Sequence, residues 1–180
     1  TVNQDKVEAQ EISAYLEDDM QLFDGFKMNA GVHTSAFLVE GKKYLSVQPR
    51  LSMRYLLNNG IAMKGSFATM NQYIHLLSNE GIGLPTDLWL PSTAKVKPQS
   101  SWQAAAGLAK TINDTYEVSI EGYYKKMSNL IAYQDGSGLF EFGDWQDRIV
   151  TGKGDAYGVE VFIQKKKGRL SGWIGYTWSQ

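Results

Sequence analysis

Apolar and polar residues alternate with a period of two through much of the stretch from Pro49 to Asn79. The apolar members of this alternation are Leu51, Met53, Tyr55, Leu57, Ile61, Met63 and Phe67. A period of two places successive side chains on opposite faces of a β-strand. Asn58, Asn59 and Gly60 interrupt the alternation, and Asn and Gly tolerate the positive φ of a tight turn. The stretch therefore predicts a hairpin with one apolar and one polar face.

The same alternation recurs along the whole chain and predicts about eight strands in an antiparallel meander, an all-β fold. No helical pattern is longer than a turn or two. Tight turns are predicted at Asp24 and Gly25, at residues 58–60, at residues 113–114 and at residues 165–168. The longer predicted connections are residues 40–43, 72–99 and 128–155. All tight turns then lie at one end of the sheet and all longer connections at the other.

Alternation alone fits two classes of protein, because a barrel with an apolar core and a membrane barrel with an apolar exterior share one pattern. Short turns at one end with long loops at the other favour the membrane barrel. Aromatic residues near the strand ends of the apolar face favour it too, since such rings prefer a membrane interface. Charged residues in the middle of the polar face suit a water-filled lumen. These luminal candidates are Glu17, Arg50, Arg54, Lys64, Glu121 and Glu160. The alternative is a small or soluble β-barrel that acts as a binding or structural protein through its long loops.

Composition narrows the function further. The 180 residues are enough for one domain with a sizeable core, and the net charge of −1 provides no field for nucleic acid. We expect no nucleic-acid partner. The absence of Cys excludes disulfides and thiolate metal sites. No run of about 18 apolar residues predicts a membrane helix, and no signal segment begins at Thr1.

No catalytic constellation is recognisable. His33 and His75 are the two His residues and lie in different segments, without a carboxylate cluster that would suggest a metal site. Asp18 and Asp19 are neighbours on a predicted strand and point to opposite faces, which argues against an acid/base pair. We expect no enzymatic activity, no cofactor and no metal.

Several short words of the sequence together resemble the barrel region of outer-membrane TonB-dependent receptors, in particular the Bacteroidetes type. These words are residues 47–55 (VQPRLSMRY), 70–77 (MNQYIHLL), 84–89 (LPTDLW), 96–99 (VKPQ), 121–127 (EGYYKKM), 154–160 (GDAYGVE) and 173–177 (WIGYT). Each word alone is weak, but the combination is specific and extends over most of the chain.

The resemblance implies a transmembrane barrel of about 22 strands around a plug, in the outer membrane of a Gram-negative bacterium. Such a receptor binds a scarce nutrient, an iron chelate, a corrinoid or a glycan, and takes it up when TonB pulls on the plug. This sequence shows no plug, no TonB box and no terminal aromatic residue, so we expect residues 1–180 to be a partial barrel domain from the middle to later part of such a receptor. The expected partners are membrane lipid, the plug, TonB through the plug, and the nutrient.

The resemblance also orients the chain, with residues 58–60 at the periplasmic end and the longer connections outside. Aromatic and polar residues of the long loops are the candidates for contact with the nutrient, because aromatic faces stack on sugars and chelate rings. These residues are Tyr73, His75, Trp89, Tyr133, Phe142 and Trp145. The alternative is that they pack the loops on one another or on the plug. The luminal charges are expected to pair with each other or with the plug. An isolated piece of barrel would expose two unpaired edges and is expected to aggregate without detergent.

Overall fold

The computed structural model describes residues 7–77, 88–134 and 145–180. These residues form β-strands and one single-turn 3₁₀ helix, Trp145–Arg148. The strands are β1 (Ala9–Phe23), β2 (Phe26–Val39), β3 (Lys42–Leu56), β4 (Ile61–Gln72), β5 (Ile74–Leu77), β6 (Leu88–Pro91), β7 (Gln99–Ile112), β8 (Tyr116–Tyr133), β9 (Ile149–Lys165) and β10 (Gly172–Ser179). The all-β prediction is confirmed. No helix among the described residues is long and apolar enough to cross a membrane.

Eight strands form one antiparallel sheet in the order β1-β2-β3-β4-β7-β8-β9-β10. Each strand pairs with its neighbours in that order, so the predicted eight-stranded meander is confirmed. Among the described residues, β5 and β6 pair with each other and form a separate small sheet. They lie between β4 and β7 in the sequence, while β4 and β7 themselves are neighbours in the large sheet. We call this pair the inner hairpin. The sequence did not predict it, because each of its strands has only four residues.

The register keeps the two faces of the sheet distinct across all eight strands. On the apolar face, Met20 lies opposite Met28, and Met28 lies opposite Met53. On the polar face, Arg54 lies between Lys27 and Lys64 on the two neighbouring strands. Because the side-chain period is two, any slip by one residue would exchange the faces. The alternation of the sequence is thus the alternation of the folded sheet.

The connections define two ends of the sheet. Gly25, Gly60, Asn113 and Asp114 all have positive φ in tight turns at one end, which we call the turn end. The opposite end carries the inner hairpin and the 3₁₀ helix Trp145–Arg148, and we call it the loop end.

Two predicted connections at the loop end were wrong. Residues 40–43 do not form a longer connection, because Glu40 (φ 48°) and Gly41 (φ 73°) close a two-residue turn. Positive φ at both central residues matches the twist of the flanking strands. The second long loop is also shorter than the predicted residues 128–155, since β8 runs to Tyr133 and β9 starts at Ile149. A bulge at Asn129 (φ 58°) breaks the alternation there and conceals the end of β8 in the sequence.

Candidate functional site

The inner hairpin lies against the polar face of β2 and β3 at the loop end. Tyr73, which precedes β5, stacks its ring on Phe37 of β2 with 4.6 Å between centroids and 1° between planes. The Tyr73 hydroxyl forms a 2.7 Å hydrogen bond with Oγ of Ser35. Phe37, Val39 and Tyr73 form a buried cluster, with Val7 and Tyr44 packed against it. This cluster fixes the hairpin to the wall of the sheet.

The segment after β6 adds a second attachment. The Tyr44 hydroxyl donates a 2.7 Å hydrogen bond to the carbonyl oxygen of Thr93. Oγ1 of Thr93 donates to Oε1 of Gln146 at 2.5 Å and accepts from the backbone N–H of Val96 at 3.1 Å. Thr93 therefore ties β3, its own loop and the 3₁₀ helix together.

His75 is completely enclosed by this packing. Its exposed fraction is 0%, and its Nε2 lies 2.9 Å from Oγ of Ser92. Its Nδ1 is buried without a hydrogen-bond partner among the residues that the structure describes. Burial lowers the pKa of His75, because the charged imidazolium is the form that desolvation disfavours. The ring is accordingly held neutral.

A groove of about 410 Å³ lies on the polar face below the inner hairpin. Hydrogen bonds fix part of its wall: the backbone N–H of Asn71 donates to Oε1 of Gln48 at 3.2 Å, and Nε2 of Gln48 donates to Oγ of Ser35 at 3.3 Å. Ser35 in turn meets Tyr73, so the groove wall and the hairpin share one hydrogen-bond network. Two cationic side chains, Arg50 and Lys125, complete its charged lining.

The six luminal candidates all occupy polar-face positions of the sheet, and all are exposed. Arg54 lies directly opposite Lys64, and Glu121 lies directly opposite Glu160. Within residues 7–77, 88–134 and 145–180, no ion pair joins any of the six to another charged residue. Like charges therefore lie opposite each other on neighbouring strands, although Asp19 and Glu121 line the same cavity as Lys27, Arg54 and Lys64.

The six loop candidates do not converge on one surface. Tyr73 (4% exposed) and His75 lie inside the hairpin packing, whereas Trp89 is 64% exposed on the other side of the same hairpin. Trp145 is half-buried at the start of the 3₁₀ helix, and Tyr133 is the last residue of β8. Phe142 lies outside the described residues.

The sequence reasoning missed the partners of the inner hairpin on the sheet. Phe37 and Val39 are apolar residues at positions of β2 that belong to the polar face, and both are buried. Tyr44 lies directly opposite Phe37 on β3. Apolar side chains on an otherwise polar face were the available signal that another part of the chain covers this end of the sheet.

Aromatic rings cluster at both ends of the apolar face. At the turn end Phe23 stacks on Phe26, with 4.9 Å between centroids. Further toward the loop end the pairs are Trp102 with Tyr124 at 5.3 Å and Tyr157 with Trp178 at 5.9 Å. Between them lies an exposed apolar band. Two aromatic girdles flanking an apolar band are characteristic of the lipid-facing side of outer-membrane barrels.

The family comparison agrees with this two-faced sheet. A family model described as "TonB dependent receptor-like, beta-barrel" matches residues 1–180. The chain belongs to the TonB-dependent receptor β-barrel family. The predicted resemblance is confirmed at this level, and the Bacteroidetes type stays a prediction. No curated protein sequence matches the chain.

Solved structures of three receptors share the fold of this TonB-dependent receptor segment. The siderophore receptor PirA from Pseudomonas aeruginosa has a TM-score of 0.71 at 16% identity, over 96% of this chain and 34% of PirA. The FrpB iron transporter from Neisseria meningitidis (F3-3 variant) has 0.68 at 13%, over 97% and 26%. The alcaligin outer-membrane receptor FauA from Bordetella pertussis has 0.58 at 15%, over 97% and 31%. The chain thus spans about a quarter to a third of these proteins, and identities this low show the fold alone.

Proposed function

We propose that this chain is a wall segment of an outer-membrane receptor that takes up a scarce nutrient through a plugged barrel, driven by TonB. The observation that carries the proposal is the family match over residues 1–180 on a sheet whose two faces are consistently apolar and polar. In this arrangement the apolar face contacts the lipid of a Gram-negative outer membrane, and the polar face lines the lumen.

Two parts of the receptor complete this wall. The plug fills the lumen and supplies counter-charges to the exposed luminal residues at the turn end, and TonB acts through the plug. The nutrient is an iron chelate, a corrinoid or a glycan. FrpB is an iron transporter and PirA a siderophore receptor, which favours the chelate within this set.

The loop candidates divide into two roles within the proposal. Trp89 presents its ring to solvent at the loop end and is the best placed of them for contact with nutrient. Tyr73 and His75 act as positioning residues, because their rings are buried where the hairpin meets the sheet. Tyr133, Phe142 and Trp145 stay candidates for contact with the nutrient on their sequence alone.

Uptake by cells that express the intact receptor tests this function. The probes are a radiolabelled ferric chelate, cyanocobalamin and an oligosaccharide, each offered at nanomolar concentration. We expect one probe class to accumulate, and a protonophore or deletion of TonB to abolish its uptake while leaving surface binding intact.

Two results would contradict the proposal. Accumulation that survives the protonophore would exclude TonB coupling. A detergent-free, monodisperse and folded monomer would exclude the membrane barrel, because only a membrane barrel needs amphiphile to cover its apolar face.

A further inference from the structure

We propose that the groove below the inner hairpin is a binding subsite for a carboxylate-bearing, oxygen-rich solute. The inference rests on the proposed function and specifies the chemical class of nutrient that this wall recognises. It assigns the recognition to the polar face of the sheet, in addition to the loop surface around Trp89.

The position and size of the groove suit a small ligand. It lies near the loop end, on the polar faces of β2, β3, β4, β7 and β8. Its volume of about 410 Å³ falls within the range of roughly 300 to 1,000 Å³ that small-molecule sites occupy. The hydrogen-bond network through Gln48 and Asn71 holds its wall in place. A preformed wall lowers the ordering cost of binding.

The charged lining is entirely cationic. Arg50 and Lys125 line the groove, and no Asp or Glu among the described residues does. Glu17 shares a register row with Arg50, but Gly31 lies between them, which separates their strands by roughly 10 Å. Neither cation has an ion-pair partner within the described parts of the chain. Both charges are therefore available to an anion, and the guanidinium fork of Arg50 matches the two oxygens of a carboxylate.

Polar side chains and three apolar ones, Met70, Met127 and Leu130, surround the two cations. Ser101 and Gln99 contribute a hydroxyl and an amide to the lining, and His33 contributes an Nδ1 that is buried without a partner among the described residues. A buried polar atom without a partner is costly, so a ligand that reaches it gains more than the bond itself. Hydroxyl-rich carboxylates present both donors and acceptors to such a lining. Acidic chelates and acidic glycans share this chemistry.

Binding to the intact receptor in detergent tests the subsite. The probes for isothermal titration calorimetry are Fe(III)–citrate, tri-galacturonate and uncharged maltotriose. The first two separate a chelate from a glycan source of the carboxylate, and we expect one of them to bind and maltotriose not to bind.

The decisive variant combines Arg50→Gln with Lys125→Gln. We expect it to weaken binding of the carboxylate probe by about 30-fold or more, because hydrogen bonds to charged groups are the strong ones. Arg50→Lys keeps the charge but loses the fork, and we expect an intermediate loss. The matched control combines Lys126→Gln with Lys153→Gln, which removes the same charge from apolar-face register positions at the same end. The control is expected to bind as the wild type does.

Three outcomes would overturn the inference. The first is that neither carboxylate probe binds the wild type; energy-dependent uptake of an uncharged nutrient would then preserve the proposed function. The second is an equal loss in the control, which would indicate a general charge effect. The third is unchanged affinity with a lower unfolding temperature in the double variant. That result would show that the two cations hold the plug.

Discussion

The polar face of the sheet has different surroundings at its two ends. At the loop end Ser35, Phe37 and Gln48 are buried, and the side chains of Ser35 and Gln48 belong to one hydrogen-bond network with Tyr73. At the turn end Lys27, Arg54 and Lys64 lie side by side on three strands and are exposed. The inner hairpin thus covers the loop-end half of the polar face, which we call the covered half. The turn-end half is exposed, and we call it the open half.

The difference shows which interactions this segment completes by itself. Like charges directly opposite each other on neighbouring strands destabilise a sheet by a few tenths of a kcal/mol to about 1 kcal/mol per pair. The covered half has no such conflict among its described residues, because its contacts are stacked rings and neutral hydrogen bonds. In the open half, Lys27, Arg54 and Lys64 form no ion pair with the described residues, although Asp19 and Glu121 line the same cavity. We infer that the covered half is a fixed wall and the open half a contact surface for the plug.

Among the variants of the covered half, Tyr73→Ala is expected to have the largest effect. It removes the ring that stacks on Phe37 and the hydroxyl that meets Ser35. We expect the free energy of opening of the inner hairpin to fall by about 3 kcal/mol, as for other truncations of buried aromatic residues. Hydrogen exchange of the β5 amides in the intact receptor measures this change.

Two companion variants sharpen the Tyr73 result. Trp89→Ala alters a 64% exposed ring on the same hairpin and is expected to change β5 exchange by less than about 0.5 kcal/mol. Tyr73→Phe keeps the ring and loses only the hydrogen bond to Ser35, which is worth about 1 kcal/mol. If Tyr73→Ala had no larger effect than Trp89→Ala, the hairpin would not be held by the stacked pair.

Acid is expected to weaken the covered half through His75. Burial lowers the pKa of His75 in the closed hairpin, so the opened hairpin takes up a proton at higher pH than the closed one. Stability is then fully present above the ordinary pKa of about 6.5 and falls as the pH drops below it, by at most about 1.4 kcal/mol per pH unit, until the closed form also protonates. Hydrogen exchange of β5 at pH 8 and pH 5.5, corrected for intrinsic rates, measures this dependence.

His75→Gln provides the control for the acid effect. The variant keeps a side chain that can hydrogen-bond Ser92 and does not titrate. We expect hydrogen exchange of the β5 amides in this variant to lose most of its pH dependence, although the variant still contains His33. An unchanged pH dependence would assign the effect to another group.

The sheet was predictable because its information is local. Alternation along each strand, with turn residues such as Asn59 and Gly60, is enough to set the number of strands and which face each residue joins. The inner hairpin is different, since four-residue strands contain too few positions to show a period. The bulge at Asn129 hid the end of β8 for a related reason, because one extra residue reverses the alternation.

The candidate site was less predictable because it depends on contacts between distant segments. Tyr73 and Trp89 look alike in sequence, as loop aromatics near Pro or polar residues, yet they are 4% and 64% exposed. Their exposed fractions differ because Tyr73 packs on Phe37, which lies 36 positions earlier in the sequence. The groove likewise draws on five strands, and no sequence spacing joins Arg50 to Lys125. The six charged residues occupy polar-face positions, and their luminal role stays a prediction.

A change of sign at Lys64 tests the open half. Lys64→Glu places an anion directly opposite Arg54. In a barrel from which the plug has been deleted, we expect this new pair to raise stability by up to about 1 kcal/mol. In the intact receptor we expect a loss of similar size. The proposed plug surface that faces Lys27, Arg54 and Lys64 is acidic, and the new carboxylate would repel it. Thermal unfolding of both forms in detergent measures the two changes, and the same sign in both would contradict a plug contact here.

The smallest expected effect concerns the ion pair between Lys95 and Asp147 at the loop end. The two groups are 2.9 Å apart, but their side chains are 58% and 66% exposed, so water and salt screen the attraction. We expect Asp147→Asn to change exchange of the residue 92–97 amides by less than about 0.5 kcal/mol. Asn129→Asp, which removes the 2.9 Å donor to the carbonyl of Pro98 in a part-buried site, should cost more. The contrast between the two halves would fail if Asp147→Asn instead cost more than about 1 kcal/mol and 500 mM NaCl reproduced that loss. The covered half would then also depend on exposed charges.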